Sequence, residues 1–100
     1  MTARLREDAG ALLGRALTLF AREHGRTLVL GAVRTQPWAS ATFEGERVVI
    51  DVSYPVADAA WLADLVEAEL HVRGYLVADL AVNHTADDAV SIEALLIRAA

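Results

Sequence analysis

The sequence contains no cysteine and no lysine, and only two prolines, among its 100 residues. The lack of cysteine excludes disulfides, thiolate zinc sites and cysteine nucleophiles. With no lysine and a net charge of −5, the chain lacks the basic surface that phosphate backbones require, so we predict that it binds no nucleic acid. No apolar run approaches the roughly 18 residues of a membrane-spanning helix, and the start "MTARLRED" does not read as a signal peptide. These absences predict a cytoplasmic protein with no membrane partner.

Apolar residues are abundant and make up 55% of the chain, although many of them are alanine. The alanine content and the exclusive use of arginine over lysine suggest a bacterial genome rich in G and C. The length predicts a single domain, 1–100, and a domain of this size buries only about 60–65% of its extended-chain surface. We therefore expect apolar surface to remain for a partner, and favour a homodimer because twofold interfaces are the commonest outcome.

The two halves of the sequence differ in charge. Residues 1–50 hold seven arginines against five acids, whereas residues 51–100 hold two arginines against nine acids. The first half is therefore weakly basic and the second half strongly acidic.

Apolar side chains at helical spacing predict an amphipathic helix over 5–24, with Gly25 as its C-terminal cap. Its apolar arc comprises Leu5, Ala9, Leu12, Leu13, Ala16, Leu19 and Phe20. Gly10 and Gly14 within the helix cost about 1 kcal/mol each relative to alanine, and either permit close packing or are simply tolerated.

Strands are predicted over 27–35, 39–44 and 47–54, with "QPW" as a break and a hairpin through Gly45. A single bent strand over 39–54 is the alternative. A second helix is predicted over 56–72, capped by Gly74, and further strands over 75–84 and 89–97. The resulting fold class is α+β: a two-layer sandwich with two helices on one face of an antiparallel sheet of four to five strands, in the order α-β-β(-β)-α-β-β.

The two halves also show a similar pattern at a constant spacing of 49 residues. Gly25 corresponds to Gly74, and "ATFE" at 41–44 corresponds to "VSIE" at 90–93. This indicates either an internal αββ repeat or the convergence of two amphipathic αββ segments.

The second helix carries two apolar stripes, where a surface helix needs only one. The second stripe is a candidate dimer interface and comprises Trp61, Leu65, Ala68 and Val72. It packs either on the first helix of the same chain or on a second copy, where a tryptophan suits a buried anchor.

Residues with potential chemistry are few. Asp64, Glu67 and His71 follow one another along the second helix, but we predict no metal site, no bound cofactor and no catalytic residues, because no known motif accompanies them. Enzymatic activity is accordingly less favoured than binding. A candidate groove at the open sheet face comprises Trp38, Tyr54 and Asp79.

The leading hypothesis is a homodimeric binding or accessory module that recognises an unidentified protein or small molecule. The second is a small-ligand-binding protein or enzyme with the groove at the open sheet face. The element order and the acidic, apolar character also resemble small dimeric secretion chaperones, and this resemblance at the level of the fold implies a chaperone-like adaptor that binds an apolar peptide.

Overall fold

The computed structural model describes residues 8–54 and 60–99 of the chain. Two helices and four strands follow one another as α1 (Ala9–Glu23), β1 (Val29–Ala39), β2 (Glu44–Ser53), α2 (Trp61–Glu67), β3 (Tyr75–Ala86) and β4 (Ala89–Arg98). All strand pairs are antiparallel, and the order across the sheet is β1-β2-β4-β3. The predicted two-layer α+β fold with the order α-β-β-α-β-β is confirmed.

One face of the sheet and the helices enclose the core. Alternate residues of the central strands point to this face and are fully buried, as period-two alternation requires: Val48, Ile50 and Val52 from β2, and Val90, Ile92, Ala94 and Leu96 from β4. Helix α1 adds Leu13 and Leu17, and α2 adds Leu65, each with no exposed surface. The opposite face of the sheet, here called the open face, carries the intervening residues, which are only partly covered.

The first hairpin differs from the predicted one. The segment "QPW" lies inside β1, and the chain turns at 40–43, where the Ser40 hydroxyl accepts hydrogen bonds from the backbone N–H groups of Thr42 and Phe43. Pro37 is compatible with β1 because this is an edge strand, where a missing N–H need not break a ladder on both sides. The predicted strand over 39–44 and the hairpin through Gly45 are therefore wrong, and 39–54 does not form one bent strand.

Gly25 caps α1 as predicted. Its φ of +70° lies in the left-handed region, and the Arg26 and Gly25 N–H groups donate to the Ala21 and Arg22 carbonyls, respectively. This is the double hydrogen bond of a Schellman motif, which pairs the last carbonyls of the helix.

The second helix ends earlier than predicted, at Glu67, because Ala68 adopts an extended conformation. The part of the prediction over 56–59 lies outside the described residues. Gly74 does not cap this helix. It has a φ of +83° in a tight turn between Val72 and Tyr75, whose N–H donates to the Val72 carbonyl at 2.9 Å. The extended segment after α2 brings Val72 into the core. A helix that continued to Val72 would not by itself place this side chain there.

The αββ unit is used twice, and the two edge strands share a detail. Each contains a β-bulge just after a residue on the core side: after Leu30 in β1 and after Val77 in β3. A constant spacing of 49 residues is not kept, however, since it would match Val48, on the core side, with Ile97, on the open face. The halves thus correspond in topology and bulge position, but in the second half the helix–strand connection is longer and the turn between the strands is shorter.

Candidate functional site: a groove between the first helix and the edge strand

The residues of the predicted groove at the open sheet face do not come together. Trp38 lies near one end of β1 on the open face, opposite Gly45. Tyr54 is buried on the core side, where its ring meets that of Trp61 edge-on at 6.3 Å. Asp79 is exposed on β3, at the other edge of the sheet from Trp38. Two strands separate Trp38 from Asp79, which sets them roughly 14 Å apart across the sheet at the usual strand spacing.

The open face itself carries cross-strand ion pairs. Arg47 contacts Glu93 at 3.1 Å, and Arg34 contacts Asp51 at 3.7 Å. Because these side chains are more than one-third exposed, each pair contributes no more than about 1 kcal/mol, and the pairs leave this face partly polar.

Three members of the predicted dimer stripe are buried within a single chain. Trp61 and Val72 are 3% and 4% exposed, Leu65 has no exposed surface, and Ala68 is half-buried. These side chains therefore present no surface to a second copy, and the structure agrees with the alternative in which the stripe packs inside the chain. The homodimer stays a prediction, but it requires another surface.

The histidines and acids are dispersed. Glu67 is the last residue of α2, so the helical spacing that relates it to His71 in the sequence is lost. Within 8–54 and 60–99, no group of three or more His, Asp or Glu side chains is placed to hold a metal ion. His24 instead lies against the Phe20 ring at 4.3 Å and hydrogen-bonds to the Phe20 carbonyl.

One arginine has a shifted pKa. A hydrogen bond from Arg98 to the Tyr75 hydroxyl, with the charge of Glu46 nearby, raises the pKa of the Arg98 guanidinium above its ordinary value. Arg98 also lies within 4.0 Å of Glu44 and 3.4 Å of Glu46. This exposed network links the end of β4 to its neighbours.

A mostly apolar concave surface lies between α1 and β1. We call it the α1–β1 groove; it has a volume of about 420 Å³ and is lined by Gly10, Ala11, Gly14, Arg15, Thr18, Leu19, Arg22, Leu30 and Val33. Leu19, Leu30 and Val33 are 55%, 38% and 45% exposed, which is unusual for side chains of this kind that lie side by side.

Two glycines shape the groove. A Cβ on Gly10 would lie 2.6 Å from the Val33 side chain, and one on Gly14 would lie 3.1 Å from the Leu30 side chain. The missing side chains therefore let β1 approach α1 closely. Gly10 and Gly14 permit close packing, which was one of the two interpretations left open by the sequence.

The groove has few polar groups of its own. The Thr18 hydroxyl donates to the Gly14 carbonyl at 2.9 Å, so its hydrogen-bonding capacity is partly used within α1. Arg15 and Arg22 are the charged residues of the lining, and no acid is among them. The Asp8 carboxylate lies beyond one end, near Gly10.

Sequence reasoning did not find this groove. The helical wheel placed Leu19 in the apolar arc, yet the structure leaves it more than half exposed. The available signals were the paired glycines of α1 and the apolar residues on both faces of "TLVLGAV". These signals predict a groove only if it is known that α1 packs beside β1.

Comparisons with protein-family models, with curated proteins and with solved structures yield no match to this chain. Neither helix in the described ranges is long and apolar enough to cross a membrane.

Proposed function

We propose that this protein is a binding module whose α1–β1 groove accommodates an apolar segment of a partner protein. The observation that carries the proposal is the exposure of Leu30 and Val33 on the core side of β1, where α1 covers them only in part. Covering apolar area releases about 25 cal/mol per Å², so a partner that fills the groove gains free energy from contacts that the chain alone does not make.

The outer edge of β1 pairs with no strand in residues 8–54 and 60–99, but it is poorly suited to strand addition. Its bulge at Gly31 and Ala32 and its Pro37, which lacks an N–H, interrupt the row of backbone groups that an added strand needs. These are devices by which edge strands avoid pairing. The contact we propose therefore depends on side chains in the groove and not on extension of the sheet.

Display of a random peptide library against the purified protein tests the proposal. We expect enrichment of apolar peptides that bind the wild type and lose at least tenfold in affinity for Val33→Asp, because the charge is placed in the groove. Val29→Asp is the matched control, since Val29 is a 64% exposed valine of the same strand on the open face.

The proposal fails if no peptides are enriched, or if the enriched peptides bind Val33→Asp and the wild type equally. Enriched peptides that lose affinity only for Val29→Asp overturn it too, because they point to the open face and favour the alternative of a ligand site there.

A further inference from the structure

In the described part of the chain, the helical layer leaves Leu30 and Val33 of β1 partly exposed. In a two-layer fold, helices normally cover one whole face of the sheet. Here α1 contacts β1 and β2, and α2 contacts β3, while Leu30 and Val33 of β1 stay partly exposed beside α1. An additional helix alongside α1 would cover them and complete the helical layer, as in complexes in which an amphipathic helix occupies an apolar groove.

The two arginines of the groove favour a bound helix that carries negative charge. Arg15 and Arg22 are seven residues apart on α1, so they lie along one line of the helix, about 10 Å apart. A partner helix in the groove runs beside this line. Acidic residues at the same seven-residue spacing on its flank would meet both arginines, whereas basic residues would be repelled.

We propose that the partner segment is an amphipathic helix with an acidic flank. Its apolar side enters the α1–β1 groove against Leu30 and Val33, and its acids pair with Arg15 and Arg22. This inference rests on the proposed function and adds the conformation and charge of the segment that is bound.

The experiment uses a display library of helical peptides with a randomised apolar face and with Glu, Gln or Lys at two flank positions seven residues apart. We expect the Glu peptides to be enriched, and resynthesised Glu versions to bind about threefold to tenfold more tightly than Gln versions, as two exposed ion pairs allow. The preference should shrink in high salt because the ions screen the charges.

The variant Arg22→Gln should lose part of the preference for Glu over Gln peptides, with unchanged affinity for the Gln peptides. Arg73→Gln removes the same charge from an exposed position beyond α2 and should keep the full preference. Circular dichroism of the bound peptide reports its helicity.

The possible failures are distinguishable. Equal enrichment of Glu and Lys peptides, or a bound peptide without helical signal, overturns the acidic helix but leaves the groove as a binding site. If no peptide of any charge is enriched, the proposed function itself is wrong. If a second copy of this chain occupies the groove, the protein is a dimer that Val33→Asp dissociates, and both proposals are overturned.

Discussion

The indole of Trp61 lies between the rings of Phe20 and Tyr54, with centroids 6.0 Å and 6.3 Å away. Its N–H is buried and has no hydrogen-bond partner in the part of the chain that the structure describes. An unpaired buried donor costs about 1–3 kcal/mol, so the ring's apolar area, and not its polar atom, stabilises this position.

Two substitutions of Trp61 should therefore have very different effects. Trp61→Phe loses ring area but also removes the unpaired donor, and we expect the free energy of unfolding to change by no more than about 2 kcal/mol. Trp61→Glu places a carboxylate in the core and should cost more than about 4 kcal/mol, enough to unfold a small domain. Urea denaturation followed by circular dichroism measures both. A folded Trp61→Glu protein with an unchanged midpoint would contradict the core position and return Trp61 to an interface.

At the scale of the elements, the contact between α1 and β1 depends on two glycines of α1. The two glycines face different side chains of β1. The Gly14 contact is with the end of the flexible Leu30 side chain, at 3.1 Å from an added Cβ. The Gly10 contact is with the stiff Val33 side chain at 2.6 Å, and with Thr35 at 3.3 Å. An added methyl group is therefore accommodated at Gly14 and not at Gly10 without movement of the strand.

We expect Gly14→Ala to stabilise the protein by up to about 1 kcal/mol, because the gain in helix propensity exceeds the small adjustment of Leu30. Gly10→Ala gains the same propensity, but the clash with Val33 offsets it, so it should be less stable than Gly14→Ala by about 1–2 kcal/mol. Thermal unfolding of the two variants measures the difference. Equal stability would show that β1 is not held against α1 at Gly10.

The elements differ in how far their sequences determine them. The periodicities of α1, β2 and β4 were enough to predict these elements, because each element has a buried face along its length. The periodicity did not predict the full length of β1. A proline such as that in "QPW" interrupts a central strand but not an edge strand, and the local sequence does not show which position a strand takes in the sheet. The end of α2 was missed for a similar reason, since Val72 reaches the core equally well from an extended segment.

Predicting the candidate site required knowledge of the tertiary structure even more than predicting the elements did. Residues 10–22 of α1 carry an ordinary amphipathic pattern and residues 30–33 of β1 are apolar on both faces, and only their juxtaposition produces the α1–β1 groove. By contrast, the dimer stripe on the second helix was visible in the sequence, but whether α1 or a second chain covers it depends on packing.

For the molecule as a whole, the uneven charge of the sequence becomes a difference between two sides. Arg15 and Arg22 line the α1–β1 groove, whereas three acids and one arginine lie on the side of α2 and β3: Glu67, Glu69, Asp79 and Arg73. The second side also exposes apolar residues, with Val66 48% and Leu76 63% exposed. It is therefore one surface on which the predicted homodimer can form if the groove receives a partner.

A dimer through this second side brings acidic residues of two copies together, so we expect it to be weak and to strengthen with salt, which screens their repulsion. Sedimentation velocity at micromolar concentration should show a monomer–dimer equilibrium that shifts toward dimer as sodium chloride is raised. Leu76→Asp should abolish the dimer, because it adds a charge to the contact, whereas Val29→Asp, at an equally exposed position on the opposite edge, should not. A protein that stays monomeric at every salt concentration would show the homodimer to be wrong. A dimer that survives Leu76→Asp but not Val33→Asp would place the second copy in the groove, since only that surface contains Val33.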